Sequence, residues 1–157
     1  MPKPKGNETV ATNRRALYRF EILETYEAGL SLMGPEVKSL RNKKASMEGS
    51  FARLERDEVF LYNLHIDPYI YNTLEPLEPR RTRKLLLHRK EIKRLLGRMT
   101  GKRLTLVPLE LYFKRGWAKV RLALARGKLG KDRREDIRKR DTEREISRAL
   151  RSRQKRG

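Results

Sequence analysis

Two segments rich in apolar residues, 104–113 and 117–124, are separated by the three residues 114–116, the last of which is glycine. The second segment has the period of two that is typical of a half-buried strand. Its aliphatic positions alternate with two cations: Ala118, Val120, Leu122 and Leu124 with Lys119 and Arg121. We therefore predict a long β-hairpin. Because Pro108 cannot donate to a strand ladder, the first strand is expected to lie at an edge or to carry a bulge there.

Other short segments show the same alternation or the pattern of an amphipathic helix. Strands are predicted where apolar residues recur at every second position, and helices where they recur at intervals of three and four. The predicted strands are 18–22, 30–32, 51–54 and 59–66, with a turn at Glu27-Ala28-Gly29 and a hairpin turn at 56–58. Helices are predicted at 35–41 and 88–96, with Gly97 or Gly101 ending the second.

These elements predict one small domain between two charged ends. About six short strands and two short helices indicate a mainly β fold with accessory helices, best matched by an OB-like six-stranded barrel, closed or partly open. An SH3-like barrel is the alternative, and the strand order is left open. We place a polar, basic arm at residues 1–16, the barrel at 17–127 and a basic tail at 128–157.

The tail differs in composition from the rest of the chain. It has 13 Lys and Arg against six Asp and Glu, a net charge of +7, and few large aliphatic residues. Such a segment cannot bury enough apolar surface to fold alone, so we expect it to be disordered in isolation. Its cations recur at helical spacing: Arg140, Arg144, Arg148, Arg151 and Lys155. This stripe, together with acid-first i,i+4 pairs, favours a helix that forms on a partner.

The overall charge indicates a polyanionic partner. The 157 residues include 40 Lys and Arg against 20 Asp and Glu, a formal net charge of +20. Nucleic acid is the expected partner; a membrane is not, since no basic helix with a broad apolar face is evident. The longest nearly apolar run, 104–109, is far too short to span a bilayer, and no secretory signal is recognised. A cytoplasmic location is therefore expected.

Few residues are suited to catalysis. The chain has no cysteine and two histidines, which excludes a thiol catalyst, a zinc ribbon and an iron–sulfur site. His65 and His88 could cleave RNA by acid–base chemistry, but nothing in their spacing favours this and structural roles are expected. No glycine-rich phosphate loop or serine-centred elbow is present. We expect neither enzymatic activity nor a cofactor or metal.

A basic segment before a leucine run is the strongest candidate for phosphate binding. Arg80, Arg81, Arg83 and Lys84 provide four cations in five positions, and arginine can grip phosphate in a bidentate manner. Aromatic side chains could stack on unpaired bases, although strand aromatics more often pack in the core or against each other. The candidates are Phe60, Tyr62, Tyr69, Tyr71, Tyr112, Phe113 and Trp117.

In order and spacing, several motifs are similar to those of the SmpB family of tmRNA-binding proteins. The resemblance covers nearly the whole chain, and so many blocks in sequence are highly specific. The matching blocks are Asn13-Arg14-Arg15-Ala16, Glu27-Ala28-Gly29-Leu30, Glu36-Val37-Lys38-Ser39-Leu40-Arg41, His65-Ile66-x-Pro68-Tyr69, Arg81-x-Arg83-Lys84-Leu85-Leu86-Leu87-His88, Thr105-Leu106-Val107-Pro108-Leu109, Gly127-Lys128 and Asp132-Arg133-Arg134. Pro35, Leu129 and Arg133 depart from the family pattern, but none removes a charge from the Asp-basic-basic element.

The resemblance implies a non-catalytic role in trans-translation. It implies binding to the tRNA-like domain of tmRNA near its elbow, and delivery of alanyl-tmRNA, with elongation factor Tu and GTP, to a stalled ribosome. The tail would then become helical in the empty mRNA channel. The implied RNA-binding residues, with adjacent cations, are Asn13, Arg14, Arg15, Glu27, Lys38, Arg41, Arg81, Arg83, Lys84 and Leu86; those of the tail are Lys128, Asp132, Arg133, Arg134, Arg140, Arg144 and Arg148.

Two alternatives and the oligomeric state stay open at this point. The chain could be a constitutive ribosomal or general RNA-binding protein, or a histidine-dependent ribonuclease. A monomer is expected, because a charge of +20 disfavours a homodimer in the absence of RNA.

Overall fold

A computed structural model describes residues 7–71, 77–128 and 144 of the chain. Within these residues the chain forms nine strands and three helices. They are β1 (Glu8–Thr12), α1 (Ala16–Arg19), β2 (Phe20–Leu30), α2 (Gly34–Arg41), β3 (Ala45–Ser46), β4 (Phe51–Glu55), β5 (Glu58–Tyr62), β6 (His65–Ile66), β7 (Arg83–Leu86), α3 (Arg89–Met99), β8 (Leu104–Lys114) and β9 (Trp117–Gly127).

Six of the strands close into a ring. Their order is β8-β4-β5-β7-β2-β9, and β9 pairs back onto β8, with every pairing antiparallel. β1 is added to β8 outside the ring, and β3 and β6 form a separate two-stranded sheet. The joint between β4 and β8 is a single residue pair, Ala52 with Leu106. The predicted mainly β class, with a six-stranded closed sheet and short helices, is confirmed.

Both predicted hairpins are confirmed, and both have turns in the left-handed region of the backbone. Arg56 and Asp57 join β4 to β5 with φ of 47° and 63°, and Arg115 and Gly116 join β8 to β9 with φ of 51° and 81°. Two successive residues with positive φ match the right-handed twist of the flanking strands. The second arm of the first hairpin ends at Tyr62, earlier than predicted.

The region around β2 differs from the prediction. Residues 16–19 form a helical turn, so the strand begins at Phe20, and Glu27-Ala28-Gly29 lies inside β2. The predicted turn is therefore wrong. Gly29 is opposite Leu86 of β7, and a Cβ at Gly29 would lie 3.3 Å from the Cβ of Leu86. The position accommodates a close approach of two strands, which in sequence looks the same as a turn glycine.

Pro108 lies inside β8 at a bulge. The pairing with β9 shifts register between Pro108 and Glu110, as expected for a residue without an amide hydrogen. The alternative, an edge strand, is wrong, because β8 pairs with β1, β4 and β9.

The predicted helices are confirmed, and both contribute to the core. α2 begins with Pro35 in its first turn, and α3 continues past Gly97 to end before Gly101, whose φ is +70°. Leu40 of α2 and Leu95 of α3 are fully buried in the cluster that fills the ring. Among the helices of the described residues, none has the length and apolar character needed to cross a bilayer.

Candidate nucleic-acid interface

Glu27 is the centre of a polar cluster on the outward side of β2, β8 and β9. Its carboxylate accepts a hydrogen bond from the Tyr112 hydroxyl at 2.6 Å and lies 3.3 Å from Lys114 Nζ. The Tyr112 hydrogen bond is the main cause that lowers the pKa of Glu27, so the carboxylate is ionised at neutral pH. An ionised carboxylate only accepts hydrogen bonds, so it can bind base N–H or 2′-OH groups but repels phosphate.

Cations surround this carboxylate. Arg121 is opposite Glu27 in the β2–β9 register, and Lys119 is opposite Gly29. The Arg121 guanidinium lies over the Tyr112 ring at 5.8 Å. The sequence predicts Arg121 and Lys119 on the polar side of β9, but they are not among the predicted site residues. The alternation in 117–124 was the signal that could have found them.

Leu86 and Lys84 lie on the outward side of β7, next to β2. Leu86 is opposite Gly29 and is 52% exposed, which is unusual for a leucine at the centre of a sheet. Lys84 is exposed and pairs with Glu58 at 3.1 Å. The sheet therefore places the apolar side chain of Leu86, the carboxylate of Glu27 and the cation of Lys84 on one outward surface, although the sequence predicted them from separate motifs.

Arg83 does not share this surface, and its predicted contact with phosphate needs correction. It is 1% exposed, and its guanidinium donates to the Glu36 carboxylate at 2.7 Å and to the carbonyls of Leu64 at 2.6 Å and Pro79 at 3.0 Å. Its Nε, Nη1 and Nη2 atoms all donate inside the protein, because β7 alternates and Arg83 occupies an inward position. Arg83 is therefore a positioning residue.

Arg81 completes the buried cluster around Glu36. It donates through Nε and Nη2 to Glu36 Oε1, which also accepts the backbone N–H of Met33 at 3.0 Å. Burial acts to raise the pKa of Glu36, but the hydrogen bonds from Arg81, Met33 and Arg83 outweigh it, and the net shift is downward. Glu36 thus stays ionised and joins the start of α2 to β7.

Asn13 joins the N-terminal segment to the bulge in β8. Its backbone N–H donates to Leu109 O and its Nδ2 donates to Pro108 O, both at 2.8 Å. β1 places residues 8–12, part of the predicted arm, on the sheet. Asn13 contacts β8 four residues from Tyr112, about 13 Å along the strand, so it forms a separate part of the surface from Glu27.

The remaining predicted cations are exposed. Arg14 is exposed, and Arg15 lies 3.3 Å from Glu48 in an exposed pair. On α2, Lys38 lies over the Tyr69 ring at 5.4 Å and Arg41 over the Phe113 ring at 5.0 Å. These side chains are available at the surface, although they are not grouped with Glu27.

Most of the candidate aromatic residues are occupied by contacts within the protein. Tyr112 and Phe113 are buried, and Tyr62 stacks on Phe51 at 5.1 Å between ring centres. Tyr71 contacts Tyr69 edge to face but is 74% exposed, and Trp117, beside the β8–β9 turn, is 73% exposed. Tyr71 and Trp117 are therefore the two most accessible of the candidates.

The two histidines lie in different parts of the fold. His65 Nε2 is 2.9 Å from Asp67 Oδ1, and His88 is exposed just before α3, where its backbone N–H donates to Glu91 at 3.1 Å. Within residues 7–71 and 77–128, no group of three or more His, Asp or Glu could hold a metal ion.

The predicted tail residues lie largely outside the described part of the chain. The backbone N–H of Lys128 donates to Arg19 O at 2.9 Å, and Arg144 is exposed. The others are outside the described residues: Asp132, Arg133, Arg134, Arg140 and Arg148.

A small closed sheet with cations and an ionised acceptor on its outward side is typical of domains that bind nucleic acid on a sheet face. The family model described as SmpB protein matches residues 10–152. The chain therefore belongs to the SmpB protein family.

Individual relatives agree with this assignment along the whole chain. The SsrA-binding protein of Pelotomaculum thermopropionicum is 56% identical over 146 residues, which cover 93% of this chain and 95% of that protein. The SsrA-binding protein of Geobacillus kaustophilus is 51% identical over 155 residues, 99% of both chains. A chain of the solved structure "tmRNA-SmpB: a journey to the center of the bacterial ribosome" is 51% identical with a TM-score of 0.63, covering 87% of this chain and 96% of that one.

Proposed function

We propose that this protein binds tmRNA and acts in trans-translation, delivering tmRNA to stalled ribosomes. The observation that carries the proposal is the match of residues 10–152 to the SmpB family, with SsrA-binding proteins about half identical along nearly the full chain. The charge of +20 and the cationic outward surface support a large RNA partner. No catalysis is needed for this role, and the separate environments of His65 and His88 support a non-catalytic protein.

The domain's part in this function is to recognise the tRNA-like domain of tmRNA. Glu27 is suited to accept hydrogen bonds from a base or a ribose. Because the Tyr112 hydroxyl already restrains its side chain, less side-chain entropy is lost on binding. The adjacent cations Lys114, Lys119 and Arg121 fit phosphates on either side of such a contact. Asn13 fixes the N-terminal segment, so that Arg14 and Arg15 are presented beside the β8 bulge.

The tail's part is to occupy the empty mRNA channel of the stalled ribosome as a basic helix. Its composition, with 13 Lys and Arg in residues 128–157, supports folding on a polyanion.

We further propose that the free protein is a cytoplasmic monomer and that elongation factor Tu takes part through the alanyl-tmRNA complex. The alternative, a constitutive ribosomal or general RNA-binding protein, predicts the same charge but no preference for the tRNA-like domain.

A binding titration distinguishes these alternatives. The dissociation constant for the tRNA-like domain of tmRNA is measured against ordinary tRNA as competitor, at several salt concentrations, with the full chain and with residues 1–128. A preference for the tRNA-like domain that survives rising salt in both forms supports the proposed function. A preference that disappears with salt, with no RNA binding by the shorter form, contradicts it and favours a general polycation.

A further inference from the structure

We infer that a groove between α3 and the outward side of β7 is an additional RNA-contact site, which receives an unpaired base and the phosphates beside it. The inference rests on the proposed function. The groove has a volume of about 750 Å³, and residues of the turn between β4 and β5 are part of its lining. The exposed cations and leucines that line it are Arg56, Lys84, Leu86, Arg89, Lys93 and Leu96.

The floor of the groove is apolar and open. Leu86 of β7 is 52% and Leu96 of α3 is 46% exposed, and Ile92, one helical turn before Leu96, also lines the groove. Two adjacent leucines left accessible in a domain with this charge form an apolar surface without a partner among the described residues. An accessible apolar floor suits a flat apolar group that enters the groove, and the face of a nucleic-acid base is such a group.

The rim of the groove is cationic, and three of its cations are not engaged in ion pairs within the described part of the chain. Arg89 and Lys93 are i,i+4 neighbours on α3, so they project on the same side as Ile92 and Leu96. Within the described part of the chain, no ion pair involves Arg89, Lys93 or Arg56. This contrasts with the other face of α3, where Arg94 and Arg98 both bind Glu24.

Two carboxylates also line the groove, and they do not cancel the rim charge. Asp57 and Glu58 lie in the β4–β5 turn and at the start of β5, and Glu58 is paired with Lys84 at 3.1 Å. Among the described residues that line the groove, Asp57 is therefore the one carboxylate left to offset the three cations without an ion pair. The net positive charge of the groove therefore favours an anionic ligand. Because the floor between the cations is apolar, a base flanked by its phosphates fits better than a fully polar anion.

The groove is continuous with the surface around Glu27. Leu86 is part of the floor of the groove and is also opposite Gly29, two residues from Glu27 on β2. One RNA molecule bound at Glu27 can therefore extend over Leu86 into the groove. For this reason we choose RNA over an acidic protein segment as the occupant.

The test uses the full chain and the isolated tRNA-like domain of tmRNA. Its dissociation constant is measured at four or more salt concentrations for the parent chain, Arg89→Ala/Lys93→Ala, Leu96→Ala and the control Lys90→Ala. Lys90 is an exposed cation of the same helix that does not line the groove. Urea unfolding of each variant establishes that it is folded.

Each variant has a distinct expected result. The double variant loses affinity, and its log–log salt slope becomes shallower by roughly 0.7–0.9 for each phosphate contact removed. Leu96→Ala weakens binding severalfold with an unchanged slope, because it removes an apolar contact only. Lys90→Ala has the slope of the parent.

Equal affinities and slopes for all four proteins would overturn the groove as an RNA site while leaving the proposed function standing. Retained affinity for the tRNA-like domain with lost association to ribosomes in a pull-down would instead assign the groove to a ribosomal contact, and would overturn the inference that it receives the RNA bound at Glu27. If the parent shows no preference for the tRNA-like domain over tRNA, the proposed function fails. In that case the dissociation constants for tRNA decide about the groove. A weaker affinity of the double variant than of Lys90→Ala supports an RNA site there, and equal affinities overturn it.

Discussion

Arg83 shows how one side chain can join several parts of this molecule. Its guanidinium connects α2, through Glu36, to the segments that contain Leu64 and Pro79. A buried carboxylate that loses its cation keeps an uncompensated charge in a poorly solvated position. The stability of this region therefore depends on the pair far more than on the exposed cations next to it.

We predict that Arg83→Met lowers the free energy of unfolding by about 3 kcal/mol, the lower end of the range for a broken buried pair because Arg81 still contacts Glu36. Lys84→Met is the matched control: its pair with Glu58 is exposed and contributes about 0–1 kcal/mol. Urea denaturation of both variants measures the difference. Equal stabilities for the two variants would show that Arg83 is not the buried partner described above.

For recognition, we predict that Glu27→Ala weakens binding to the tRNA-like domain about tenfold or more while leaving its salt dependence unchanged. A lost acceptor removes no cation–phosphate contact, so the number of released counterions stays the same. Glu21→Ala is the control on the same strand, since Glu21 is exposed and its Arg126 partner is 3.9 Å away. An unchanged affinity for Glu27→Ala would reduce Glu27 to a structural partner of Tyr112.

The sequence predicted residue types better than it predicted their surroundings. It indicated that the run from Arg80 to Lys84 is basic, but Glu36, which removes Arg83 from the surface, lies 47 residues away. Gly29 was predicted in a turn, because the approach of Leu86 depends on a strand pairing that is not encoded locally. Local patterns do not contain contacts of this range.

At the level of elements, two glycines in different backbone conformations are expected to change stability in opposite directions when replaced by alanine. Gly116 has a φ of +81° in the β8–β9 turn, and Gly97 lies inside α3 with nothing within 4 Å of an added Cβ. Gly116→Ala is expected to destabilise by about 1–2 kcal/mol, and Gly97→Ala to stabilise by about 0.5–1 kcal/mol. Thermal unfolding of the two variants checks both signs. A shift in the same direction for both would contradict the backbone assignment.

The ion pairs of Arg94 and Arg98 with Glu24, which attach α3 to β2, give a prediction about how stability depends on pH. The hydrogen bond from Arg94 first, and that from Tyr26 second, lower the pKa of Glu24 to about 2 from its usual 4.5. The stabilisation by Glu24 is fully present above pH 4.5 and is lost as the pH falls toward 2, because the unfolded state takes up the proton first.

The stability difference between the parent and Glu24→Gln is thus expected to be constant from pH 5 to 7 and to shrink between about pH 4.5 and 2. Urea denaturation at a series of pH values measures it, with the exposed Glu21→Gln as the control. A difference that persists at pH 2 would rule out ionisation of Glu24 as its cause.

Elements were predicted where their signal is local. The two hairpins and the helices α2 and α3 follow from alternation, turn residues and helical spacing within a few positions. The strand order could not be predicted, because the ring depends on pairings such as Phe20 with Gly127 and Ala52 with Leu106. The outward surface of the site depends on the same pairings, so its membership was only partly predicted.

For the whole molecule, we predict that a chain ending at Lys128 keeps most of its affinity for the tRNA-like domain and does not support tagging of stalled polypeptides. Lys128 is retained because its backbone N–H bonds to Arg19. The measurement combines a binding titration with an in vitro assay of peptide tagging. Tagging by the shorter chain at the parent's rate would refute the proposed role of the tail.

The pairing of β2 with β9 has a consequence for how the nascent chain reaches its final state. β2 begins at Phe20, but its partner is not complete until Gly127 has been synthesised, and contacts between such distant residues form slowly. Until then one edge of β2 is open to aggregation, and charged side chains protect such an edge. Glu21 and Glu27 provide that protection, and in the completed ring they are opposite Arg126 and Arg121. The same carboxylates thus protect the unpaired edge of β2 and favour the correct alignment with β9.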